Sequence, residues 1–203
     1  MSKNYIKEKS VLAQKVTYIL DQLNLVWTIN GKTLQGANNN GQSLEDDMNP
    51  FDIVIYQPIL LHSHIKEDKL KLLKLYMNQI NYLLQEPYIS RIIPSLGYII
   101  EIFDPTYKKM ENDVYYSVSC KLTLLVHETS DILQLQSIPY DNKINTLDFL
   151  PLSLIEYEGC IYQAPGNTSK YLKSIEKYLN LEVEKKGNHK INVINFKSTS
   201  KSN

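Results

Sequence analysis

The residues best suited to chemistry lie between Trp27 and Tyr56. Asn30-Gly31 is a turn-forming pair. A glycine there lets backbone N–H groups approach a phosphate, and the positive end of a following helix favours the anion. Lys32 adds a charge and Thr33 a hydroxyl. Ahead of the next apolar run stand the carboxylates Glu45, Asp46, Asp47 and Asp52. Hard oxygen ligands of this kind hold Mg²⁺, and a divalent ion neutralises phosphate oxygens during an in-line transfer. The same residues also read as a solvated acidic loop and an ordinary glycine turn, and spacing alone does not separate the two readings.

Other reactive types carry less. His62 and His64 are two apart, as on one face of a strand, but no Cys or carboxylate stands near them at ligand spacing, which favours a loop or edge position. His127-Glu128 ends a long apolar run and reads as a strand terminus. Cys120 and Cys160 have no CxxC partner and no basic neighbours in sequence, so they read as inert thiols in a reducing, intracellular setting. The 15 tyrosines are most simply half-buried packing residues, and Trp27 a core residue at the end of the first strand.

The elements that must position these residues follow from hydrophobic periodicity. Val11, Leu12, Val16, Ile19, Leu20 and Leu23 form a helical stripe with Ser10 placed to cap it. Residues 25–29 read as a buried strand, 33–37 as a short helix, 38–41 as a turn and 51–56 as a second strong strand. The longest helix runs over 66–85 with Leu70, Leu73, Met77, Ile80 and Leu84 on its apolar stripe, and Pro87 ends it. Further strands are expected over 97–103 and 115–126, separated by a polar loop, with a hairpin over 154–157 and 160–163 turning at Glu158-Gly159. A last helix is expected over 168–179 and an edge strand over 191–194. Such an order indicates an α+β or mixed α/β domain.

With these elements in place, two separated motifs resemble the LicD/fukutin family. The first is Trp27-Thr28-Ile29-Asn30-Gly31-Lys32-Thr33-Leu34-Gln35-Gly36-Ala37, followed by Asp46-Asp47 and Asp52-Ile53-Val54. It is similar to the family's strand ending in a G-T-L-L-G-A-type motif and the acidic cluster entering the next strand. The second is Phe149-Leu150-Pro151-Leu152, Glu156-Tyr157-Glu158-Gly159, Ala164-Pro165-Gly166-Asn167 and Tyr171-Leu172, with Tyr178 as a last aromatic, similar to the family's closing segment. The resemblance covers about residues 11 to 180, and the ordered pair of motifs carries it. It implies a nucleotidyltransferase-like α+β fold, a small mixed β-sheet flanked by helices, and transfer of a phospho-alcohol from a CDP-linked donor to a glycan-type acceptor with Mg²⁺ or Mn²⁺. By resemblance Gly31, Lys32, Thr33 and Gly36 lie against donor phosphates, and Asp46, Asp47 and Asp52 hold the ion. Glu101 or Asp104 is the further acidic partner, which would also serve as base for an acceptor hydroxyl. The chain departs from the family pattern in three ways. Asn38 and Asn39 stand where an arginine is usual, Ser43-Leu44 where an apolar-aromatic segment is usual, and Met48-Asn49-Pro50 interrupts the acidic spacing. A bulge would bring Asp47, Asn49 and Asp52 back together. The alternative is a catalytically degenerate member acting as a binding or scaffold protein.

Composition bounds these readings. The chain has 203 residues, 43% hydrophobic and 22% charged, enough to bury a core and too apolar for a disordered protein. Lys and Arg number 22 against 22 Asp and Glu, so no global field draws it to nucleic acid or an anionic membrane. No secretory h-region and no membrane-spanning apolar run is visible. The expectation is a soluble, cytoplasmic protein with no nucleic-acid partner, residues 1–185 forming one domain and 186–203 a polar tail.

Overall fold

The computed structural model describes residues 3–43, 49–60, 66–93, 99–107, 109–111, 114–136 and 143–176. The tail from 186, the edge strand expected over 191–194, His62, His64, Tyr178 and the acidic residues Glu45, Asp46 and Asp47 lie outside them.

Helix α1 spans Lys3–Gln22. It begins a full two turns before Ser10, which is an interior position and not a cap, because Tyr5 and Lys9 extend the buried face that continues through Leu12, Val16 and Ile19. Strand β1 (Val26–Ile29) follows, and the Trp27 indole N–H is anchored on Asp21 Oδ1 at 2.7 Å. Helix α2 covers Gly31–Asn40, so it starts earlier and runs longer than the expected 33–37. The three asparagines read as a turn form its last turn. Gly41 stops it in the left-handed region with φ 71°, its N–H donating to the Ala37 carbonyl at 3.2 Å.

Strand β2 is Phe51–Leu60 and helix α3 is Lys66–Leu83, where Leu73, Tyr76 and Ile80 are buried. The next strands are β3 (Ile89–Ile93), β4 (Ile99–Phe103), β5 (Lys109–Glu111), β6 (Val114–Tyr116), β7 (Ser119–His127), β8 (Ile132–Leu135) and β9 (Ile144–Asn145). Helix α4 (Thr146–Phe149), the hairpin β10 (Ser153–Tyr157) with β11 (Cys160–Ala164), and helix α5 (Thr168–Ser174) complete the described chain.

The fold is α+β, a mixed sheet flanked by helices. Its central order is β1-β2-β7-β4-β3, and β8 takes the place of β4 along the second half of β7. All neighbours in this path are antiparallel except β2 and β7, which run parallel, with Asp52 opposite Lys121 and Val54 opposite Thr123. Parallel neighbours need a long crossover, here the segment holding α3, β3 and β4. In a strand alternate side chains share a face, so Asp52, Val54 and Tyr56 lie on one side of β2 and Phe51, Ile53 and Ile55 on the other. Tyr56 and Phe149 rings meet at 5.5 Å, so α4 covers the Asp52 face at its far end. The described residues share one hydrophobic core, centred on Ile53, Val54, Ile55, Leu122 and Leu124. None of their helices is long and apolar enough to cross a membrane.

Candidate functional site

The glycine turn and the start of β2 are tied through the backbone. After Ile29 pairs with Ile53, the Asn30 N–H donates to the Asp52 carbonyl at 2.9 Å, adding one rung beyond the strand. Asp52 returns the contact, its N–H donating to Thr33 Oγ1 at 3.0 Å. Thr33 is fully buried, so its hydroxyl serves this link. Gly31 has φ 54°, a left-handed conformation that an L side chain adopts at a penalty of roughly 1–2 kcal/mol. A Cβ on Gly31 would stand 2.7 Å from Asp52 Oδ2. The carboxylate therefore lies against the turn itself, at the positive end of α2, where a negative charge is favoured.

The second motif closes on the first. Asn30 caps α2 without a side-chain bond of its own to the helix; instead its Oδ1 accepts the buried Tyr171 O–H at 2.8 Å. At the other end of α2, Glu158 N–H donates to the Gly41 carbonyl at 2.8 Å, and Ser43 N–H donates to Glu158 Oε1. Ser43 Oγ and Tyr157 Oη lie 2.8 Å apart. Gly36 belongs to this packing: a Cβ there would meet the Gln42 carbonyl at 2.5 Å and the Tyr157 ring at 3.3 Å. What forbids a side chain at Gly36 is thus the protein's own backbone. Lys32 is half-buried in the first turn of α2.

Across the sheet, strand register sets out a row of charges beside Asp52. Asp52 on β2 is opposite Lys121 on β7, Lys121 is opposite Glu101 on β4, and Glu101 is opposite Arg91 on β3. Register partners share a face, so the four form a line of alternating sign on the Asp52 side. At about 4.8 Å per strand, the Cα atoms of Asp52 and Glu101 stand about 10 Å apart. Glu101 is engaged by Arg91, whose Nε and Nη2 reach Oε2 at 2.7 and 2.6 Å. Asp104 is not part of this group. Its Oδ1 accepts from Thr106 N–H, Thr106 Oγ1 and Tyr107 N–H, closing a turn, and its charge acts on Tyr88, whose pKa is raised first by burial and then by Asp104 and Glu8.

Other sequence candidates take structural duties. His127 Nε2 lies 2.7 Å from Tyr56 Oη, and Nδ1 donates to the Thr129 carbonyl at 2.9 Å, since a carbonyl oxygen only accepts. This pair stands four residues along β2 from Asp52, about 13 Å away. Cys120 is buried and its thiol pKa is pushed far up by desolvation, so it is inert; Cys160 Sγ accepts from Gln14 Nε2 at 2.9 Å. A polar cleft of about 460 Å³ lined by Asn40, Gly41, Gln42, Glu156, Glu158 and Gly159 opens at the far end of α2, about 14 Å along the helix from Gly31.

Among the described residues, no three His, Cys, Asp or Glu side chains converge as a metal site would require. Lys121 is the residue that reading the sequence for acids passes over. Its signal was a lone charge inside the apolar run Cys120-Lys121-Leu122-Thr123-Leu124. The arrangement amounts to a glycine turn holding an aspartate at a helix N-terminus, with a lysine beside it and a closing hairpin locking the helix. No family model matches the chain, and no curated protein matches it closely enough to stand as a relative.

Proposed function

We propose that the chain is a LicD/fukutin-type protein of nucleotidyltransferase-like fold. Its glycine turn, with Asp52 packed against it, takes a CDP-linked phospho-alcohol, and the chain passes the phospho-group to a glycan-type acceptor. The observation that carries this reading is the meeting of the two motifs. The segment holding Tyr157, Glu158 and Tyr171 grips both ends of the glycine-turn helix, a contact that their separation in sequence does not require. Gly31 and Lys32 would face donor phosphates, while Thr33 and Gly36 act behind them by fixing Asp52 and the end of α2.

A phosphate approaching this turn meets Asp52. At about 5 Å and an effective dielectric constant near 20, two unit negative charges repel by roughly 3 kcal/mol. A cation must therefore stand between them. The family uses a divalent ion for this, held by acids; in this chain Asp52 would contribute one carboxylate, with Asp46 and Asp47 outside the described residues.

A second reading, a member that binds without turnover, is favoured by one observation: Glu101, the further acidic candidate on the Asp52 face, is held by Arg91. Calorimetric titration with CDP-choline and CDP-ribitol, followed by assay of CMP release with glycan acceptors, separates these readings. Saturable binding with CMP release supports the transferase. Saturable binding without release supports the second reading. No heat at millimolar ligand removes both.

A further inference from the structure

We propose that the groove between α1 and α3 is a separate binding site, which takes a neutral oligosaccharide. It goes beyond the transfer proposed above and does not depend on it, because it lies on the other side of the sheet. Trp27 is opposite Ile55 and so belongs to the face away from Asp52, and its bond to Asp21 fixes the end of α1 on that side. Two cavities of about 570 and 320 Å³ follow one another along the helices, each in the size range of small-ligand sites. Gln22 and Leu83 line both, so the two form one groove.

The lining selects the ligand. Tyr82 at 89% exposure, Tyr18 at 63% and Leu75 at 52% stand along the groove and not in the core. At about 150–250 Å² for a whole aromatic side chain, their open surface comes to roughly 400 Å². A stable interface takes about 800 Å² per partner, so the patch suits a small ligand better than a second copy. Among the described residues no carboxylate lines either cavity, and the one cation, Lys15, holds its ammonium 4.8 Å from the Tyr88 ring centroid. A cationic ligand finds no counter-charge here, and the single ammonium is already turned onto a ring, so the groove favours a neutral one. Its polar part is amide, from Gln22, Asn78, Gln79 and Gln85. A primary amide both donates and accepts, as a sugar hydroxyl does, so the two satisfy one another. The C–H face of a pyranose in turn packs on an open aromatic ring, whose face is electron-rich. Gln22 Nε2 donates to Tyr18 Oη at 3.0 Å, which orients that ring beside the groove. An apolar helix in the same place would strip water from these amides without replacing it.

The test presents the full chain to an array of neutral oligosaccharides of glucose, galactose, mannose and N-acetylglucosamine, with sulfated and sialylated ones as controls. Calorimetry on the best binder follows. Saturable binding of a neutral glycan is expected. Tyr82→Ala should weaken it at least about tenfold, and because that ring is exposed the melting temperature should not change. Gln79→Leu keeps the bulk and removes the amide, and should also weaken binding at least about tenfold. A Gln79→Leu variant that binds as well or better marks an apolar occupant and overturns the inference. Failure to bind any neutral glycan overturns it, as does binding confined to the charged controls or undiminished by Tyr82→Ala. A wild-type dimer that Tyr82→Ala turns into monomer in sedimentation velocity assigns the groove to a second copy and overturns it too. The transfer reading is judged apart, since Tyr82→Ala should leave CDP-choline binding as it is in wild type.

Discussion

Replacing Gly31 with alanine probes the joint between the turn and the aspartate. Two penalties arise from the geometry. The left-handed backbone at φ 54° is disfavoured for an L residue by roughly 1–2 kcal/mol. The new Cβ would fall 2.7 Å from Asp52 Oδ2, forcing the carboxylate off its rotamer for about 0.5–1.5 kcal/mol more. Against these stands a gain of about 0.4–1 kcal/mol from the smaller conformational freedom of alanine in the unfolded chain. The balance is a destabilisation of about 2 kcal/mol. For a chain of this size that lowers the melting temperature by roughly 4–8 °C. Urea denaturation followed by circular dichroism, with unchanged denaturant slope, measures it. The decisive control is the same substitution in an Asp52→Ala background. With the carboxylate gone, the penalty should shrink by about 1 kcal/mol, a coupling that only contacting residues show. Equal penalties in the two backgrounds would refute the contact, and a loss below about 0.5 kcal/mol would refute the left-handed turn.

Two further outcomes follow from buried groups. Tyr171→Phe removes the donor to Asn30 Oδ1 and leaves that buried oxygen unsatisfied; a loss of about 1–3 kcal/mol is expected, with faster hydrogen exchange in the first turn of α2, and unchanged exchange would count against the lock. The Cys120 thiol is pushed up chiefly by desolvation, with Asp52 adding to the rise and Lys9 opposing it. Folding therefore keeps the proton that the unfolded chain releases near pH ~8.5. The sign is that this contribution is complete below that pH and declines progressively above it. Urea midpoints should fall between pH 8.5 and 10, and Cys120→Ala should flatten the fall; an identical slope in the variant would show that the thiol is not the titrating group.

Much of the architecture was legible because burial leaves a periodic trace. Trp27 to Ile29, Phe51 to Tyr56 and the stripe through Leu73 and Ile80 are apolar at the spacing their elements need, and they appear where expected. Of the strands that escaped notice, β5 (Lys109–Glu111) stands where a polar loop was expected and β9 is two residues long, while β3 and β8 are short and interrupted by Ser90, Arg91 and Gln134, so local pattern carries little weight there and pairing with β4 and β7 decides. The start of α1 was hidden because Lys9, a polar residue by type, is buried. In the site, the meeting of Gly31 with Asp52 was foreshadowed by the turn and the strand entry. The position of Lys121 opposite Asp52 was not, since it depends on which strand lies beside β2. A parallel neighbour drawn from nearly seventy residues away leaves no mark in local spacing.

Asn30 and Tyr171 are 141 positions apart. During synthesis β1, α2 and β2 leave the ribosome long before the tyrosine that fastens them, and long before β7 arrives to set Lys121 beside Asp52. Nascent chains thus carry the glycine turn for most of translation with its asparagine hydrated and its aspartate unaccompanied. The joint between the turn and the segment that fastens it therefore forms late, and its maturation is paced by long-range closure rather than by the rapid local folding of the helix that bears it.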